Sequence, residues 1–126
     1  MWICTKRGFY SIVQNTFDRN SFFIRSRDIR HLRALEPDVP VQTTPDRDYP
    51  YRINVCRARL GEIITMLGSE IDYGNFKSKV DSSFGPFDWY ARALHEVWHV
   101  FWRAAAGERP EGDGDDQNVL GLFDRE

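Results

Sequence analysis

Cysteine is scarce in this chain: Cys4 and Cys56 are the only two among 126 residues, far apart and outside any CxxC spacing. A disulfide framework is thereby excluded, and buried, reduced thiols are the expectation. Long hydrophobic runs are missing too. No stretch approaches the roughly 20 apolar residues of a membrane helix, and "MWICTKRGFY" lacks the basic start and long apolar run of a signal peptide. A cytoplasmic protein with no membrane partner follows from that reading. Neither a glycine-rich phosphate cradle ending in Gly-Lys-Ser or Gly-Lys-Thr nor a GxSxG elbow occurs. Nucleotide hydrolysis and serine esterase chemistry therefore have no support in the sequence.

What is present is a chain long enough for one modest core. Its 41% hydrophobic and 29% charged residues lie in the ordinary globular range, and four Trp, five Tyr and nine Phe supply ample aromatic surface. The formal net charge is only −2, but it is unevenly spread. Residues 107–126 hold seven acids against Arg109 and Arg125, a charge of −5, so the preceding residues carry +3. The first 33 residues alone have Lys6, Arg7, Arg19, Arg25, Arg27, Arg30 and Arg33 against Asp18 and Asp28. A basic front interleaved with Phe and Tyr suits an acidic partner.

Local patterns place the elements. "GFYSIV" (8–13) and "SFFIRS" (21–26), with the polar "FDRNS" between them, read as a hairpin. Ile29, Leu32 and Leu35, with Asp28 before and Pro37 after, read as a short helix. Residues 39–44 suit an edge strand, and in "YRINVC" (51–56) Tyr51, Ile53 and Val55 alternate with Arg52, Asn54 and Cys56, giving one apolar and one wet face. Leu60, Ile63, Ile64, Leu67 and Ile71 predict a helix that runs through Gly61 and Gly68. "DYGNFKSKV" (72–80) reads as a turn feeding a short helical piece, "DSSFGPF" as a loop, and residues 88–106 as a final helix stopped by Gly107. The order ββαββα(α) predicts an α+β domain over 1–106: a four-stranded antiparallel sheet with two main helices on one face, a permuted ferredoxin-like arrangement. Residues 107–126 read as an acidic flexible tail.

Within the last helix "HEVWH" spells a zinc-peptidase motif. His95 and His99 stand one turn apart, where both can reach one ion, and Glu96 would be the general base. A catalytic zinc also needs a third protein ligand, for which the chain offers only His31 or the tail carboxylates Glu108, Glu111 and Asp113. The plainer reading takes Tyr90, Leu94, Val97, Trp98, Phe101 and Ala105 as an apolar stripe facing the sheet, with His95, Glu96 and His99 outside it. On that reading no cofactor is required, and zinc is the alternative.

Four stretches, "MWICTKRGFYSIV", "YRINV", "DYGNFKSKV" and "HEVWHV", carry a resemblance. Together they resemble the motifs of a family of small uncharacterised bacterial proteins, MWxxTxxGFxSxV, YRxxV, DYxNFKxxV and HxVWxV, over nearly the whole chain up to Ala106. The resemblance implies a shared fold and no particular chemistry. In that family the position matching His99 is often not a histidine, so the resemblance also implies that the zinc spelling here is accidental.

Two further groups are candidates for binding. "RGFYSIV" begins like an RNA-recognition signature in Arg7, Gly8 and Phe9 and departs from it at Tyr10 and Ser11, while Arg25, Arg52 and Asn54 share the wet face of the predicted sheet. Tyr73, Asn75 and Lys77 sit in the tight segment between helices, where Asn75 also suits a helix cap and Phe76 with Val80 a core plug. The sequence as a whole points to a binding protein without enzymatic chemistry, acting on a protein partner in the manner of a phage- or mobile-element-encoded inhibitor or adaptor. Single-stranded nucleic-acid binding and zinc-dependent hydrolysis are the alternatives.

Overall fold

The structure, a computed structural model, describes residues 1–107. The acidic tail expected over 107–126 lies, beyond Gly107, outside the described residues. The chain divides into two compact units, Met1–Ile71 and a second beginning at Asp72.

The first unit is α+β. Strands β1 (Trp2–Thr5), β2 (Gly8–Asn15) and β3 (Asp18–Ser26) are followed by helix α1 (Ile29–Leu35), strands β4 (Gln42–Thr43) and β5 (Tyr51–Cys56), and helix α2 (Arg57–Ser69). All five strands form one antiparallel sheet in the order β1-β2-β3-β5-β4. Period-two alternation decides its faces. Tyr10 and Ile12 of β2, Phe22 and Ile24 of β3, and Ile53 and Val55 of β5 point to one side, where Leu32 and Leu35 of α1 and Ile63 and Leu67 of α2 close over them. Each such side chain contributes roughly 1.5–3 kcal/mol by leaving water, which fixes the register, since a one-residue slip would turn the whole set outward. The helices start where capping chemistry allows: Asp28 accepts the Arg30 N–H at 2.9 Å to begin α1.

Several expectations are corrected here. The sheet has five strands where four were expected, because Trp2–Thr5 adds an edge to β2. The edge strand foreseen over 39–44 shrinks to Gln42–Thr43, Pro40 being unable to donate to a ladder. Helix α2 runs from Arg57 to Ser69, so Ile71, read as part of its apolar pattern, lies beyond its end. Cys4 and Cys56 are free and exposed, whereas buried thiols were expected. Partial burial still pushes the Cys4 thiol up, which keeps it protonated and slow to react.

The second unit is helical. Asn75 caps α3 (Phe76–Phe84) by accepting the Ser78 N–H at 2.9 Å, and Gly85 ends it at φ +90°, a conformation that favours glycine. Four residues expected in a loop, 81–84, therefore belong to α3. Helix α4 (Trp89–Gly107) packs on α3, with the Phe84 and Tyr90 rings edge to face at 5.3 Å and Val80, Tyr90, Ala91 and Leu94 buried. The apolar stripe foreseen on α4 is covered only in its first half. Val97, Val100 and Phe101 are exposed, Phe101 by 71%, so the reading that turned Phe101 inward is corrected. No helix among the described residues is long and apolar enough to cross a membrane.

Candidate functional site

The face of the sheet opposite the α1 and α2 core carries the other half of each alternating strand. Pairing register places Trp2 of β1 beside Ser11 of β2, Ser11 beside Arg25 of β3, Arg25 beside Arg52 of β5, and Arg52 beside Gln42 of β4. One residue from each strand thus forms a row across the sheet. Next to it along the strands stand Phe9 on one side and Val13, Phe23 and Asn54 on the other.

Two arginines directly opposite each other are unfavourable neighbours in a sheet. Here local contacts hold them in place. Arg25 Nη2 donates to Ser11 Oγ at 2.7 Å, and its guanidinium lies over the Tyr49 ring at 4.7 Å, a ring shared with Arg27 at 4.5 Å. Arg52 lies over the Phe23 ring at 5.5 Å. Ring faces attract cations, by about 0.5–1 kcal/mol at exposed sites, but they do not neutralise charge. Among the described residues neither Arg25 nor Arg52 meets a carboxylate, and the Nε of each is buried with no hydrogen-bond partner. Burial first, then the charges of Arg47 and Arg25, lower the pKa of Arg52 from its ordinary value, although a guanidinium stays charged at any physiological pH.

Residues 1–71 contain eleven lysines and arginines against eight acids. Most of those acids are engaged elsewhere: Glu70 with Arg7, Glu36 and Glu62 with Arg59, Asp28 with Arg30 and Asp48 with Arg27. No residue of the row or of its flanks is acidic. Arg25 and Arg52, with Arg47 near enough to lower the Arg52 pKa, therefore put positive charge on this face, beside exposed and half-buried aromatic rings.

Of the residues singled out from sequence, the structure brings Arg25, Arg52 and Asn54 together on this face, Asn54 accepting a hydrogen bond from the Ser21 hydroxyl. Arg7 is not with them. It grips Glu70 through two nitrogens, one at 2.9 Å, and donates to the Ala34 carbonyl; the Glu70 hydrogen bond, the largest cause, raises its pKa further. Tyr73, Asn75 and Lys77 belong to the second unit. There Tyr73 packs on Phe76 at 5.8 Å, Asn75 caps α3, and Lys77 Nζ stands 4.3 Å from the Trp98 ring centre.

In the HEVWH segment, His95 Nε2 is 3.3 Å from Asp81 Oδ2, the His99 ring meets the Trp98 ring edge to face at 4.6 Å, and Glu96 is exposed. His31, the internal candidate for a third ligand, is fully buried in the first unit, its Nδ1 accepting the Phe9 N–H at 3.2 Å. Among the described residues no three His, Cys, Asp or Glu side chains are placed to hold a metal ion; the other candidates for a third ligand, Glu108, Glu111 and Asp113, lie outside the described residues.

Trp2 and Tyr49 were not foreseen as members of the face. Their signal was available only in the pairing of β1 with β2 and in the path of the 44–50 loop. No family model, no curated protein and no solved structure matches the chain.

Proposed function

We propose that this protein is a binding module, with no reaction of its own, whose outer sheet face takes a negatively charged partner. One observation carries the reading: Arg25 and Arg52 are direct register partners with no carboxylate between or beside them among the described residues. Opposed like charges cost stability in the free protein, and an anion bound between them would convert that cost into affinity. Guanidiniums seated on rings are also partly preorganised, so less rotamer entropy is lost on binding.

The strand order β2-β3-β5-β4, with α1 leading into β4 and α2 following β5, supports a permuted ferredoxin-like core to which β1 adds an edge. In such a core one sheet face is covered by helices and the other remains for contacts.

Retention on a heparin column under a salt gradient tests the reading. The full chain should be retained, and Arg25→Ala and Arg52→Ala should each elute at lower salt, while Arg33→Ala on α1 should elute with the wild type. Equal elution of all four proteins would refute it.

A further inference from the structure

Trp2, Ser11, Arg25, Arg52 and Gln42 stand in one line that crosses all five strands. At the usual separation of neighbouring strands that line is about 19 Å long. We infer that the line is a track for single-stranded nucleic acid, with phosphates held at Arg25 and Arg52 and a base stacked on Trp2; the inference rests on the anionic-partner reading above.

The indole of Trp2 and the guanidiniums of Arg25 and Arg52 differ in chemistry, and that difference selects the partner. Trp2 is 76% exposed, its ring meeting Phe9 edge to face at 6.5 Å. An indole so placed on a polar strand edge gains little from folding and offers a large surface for stacking. An acidic protein segment would use the guanidiniums and leave the indole idle, whereas a nucleotide chain uses both, its phosphates on the arginines and its bases on the ring. An extended peptide would also join a sheet at an edge strand through its backbone. These groups stand instead on the face and run across the strands.

The sheet face favours an unpaired strand. It presents no helix or ribbon to enter a groove, and stacking on a side chain requires a base free of its duplex neighbours. Ser11, fully covered, acts as a positioning residue: its hydroxyl receives Arg25 Nη2 and sets where that guanidinium stands in the row. Asn54 is exposed in the next row and supplies an amide for a base edge.

The test is fluorescence anisotropy of the full chain with a labelled oligothymidylate of about 16 nucleotides, with polyglutamate as the acidic-protein probe and a duplex of the same length as the third arm. The single strand should bind more tightly than either of the others. Trp2→Ala should weaken single-strand binding roughly tenfold, leave heparin retention unchanged, and be largely reversed in Trp2→Phe, which keeps a stacking ring. Arg52→Ala should weaken the oligonucleotide and heparin alike, and thermal melts of each variant confirm that it is folded. Polyglutamate binding as tightly as the oligonucleotide, or Trp2→Ala without effect on the single strand, overturns the nucleic-acid inference while leaving the anionic-partner reading standing. Loss of Arg52 dependence for every probe overturns both.

Discussion

Gly8 lies against the ring of His31 so closely that a Cβ added to it would stand 2.3 Å from the His31 Cγ. Its φ of +151° is also one that other residues rarely adopt. The close approach has a purpose in the fold, since it lets His31 Nδ1 accept the N–H of Phe9 and ties α1 to the start of β2. Gly8→Ala is therefore expected to destabilise the protein by roughly 2–4 kcal/mol, from backbone strain and overpacking together. Urea unfolding measures it, and a loss below about 0.5 kcal/mol would mean that the approach is looser than described.

Arg7 and Glu70 join the turn after β1 to the end of α2, and Arg7 also donates to the last turn of α1 through the Ala34 carbonyl. Both charged groups are partly covered, so the pair counts for more than an open surface ion pair and less than a buried one. Arg7→Ala should lower stability by about 1–2 kcal/mol and leave heparin retention close to wild type. A variant with normal stability and weakened retention would return Arg7 to the binding surface.

Tyr10 is fully buried, with its hydroxyl donating to the His31 carbonyl at 2.6 Å. Burial is the main cause that pushes its pKa above the ordinary value of 10.0. The folded state thus holds the phenol proton more tightly than the unfolded chain does. The stability this contributes is complete below pH 10 and is lost as pH climbs toward the folded value, by at most about 1.4 kcal/mol per pH unit. Tyr10→Phe removes this slope along with one hydrogen bond. Unfolding free energies of the two proteins should converge as pH rises above 10, and a constant difference across that range would show that Tyr10 titrates alike in both states.

Sequence periodicity reveals the elements whose alternation has a buried side. The hairpin of β2 and β3, the strand of β5 and the helix through Ile63 and Leu67 all announce themselves in that way. β1 does not. Of its four residues Trp2 and Cys4 are exposed and Ile3 is half-buried, so it forms because β2 offers an unpaired edge, not because its own pattern demands it. The row is half legible for the same reason. Alternation within 51–56 places Arg52 and Asn54 on a wet face, but the meeting of Arg52 with Arg25 depends on the pairing of β5 with β3 across α1 and β4, which no local signal encodes. On α4 the pattern shows which residues are apolar and cannot say what covers them, and Val97, Val100 and Phe101 remain exposed.

The most direct measurement of the central claim is the salt dependence of oligothymidylate binding. Each phosphate contact to a single strand adds about 0.7 to the slope of log affinity against log salt concentration. If Arg25 and Arg52 hold phosphates, each alanine variant should reduce that slope by about 0.7 and the double variant by about 1.4. A slope identical to wild type in the double variant, in a protein that still folds, would contradict the account.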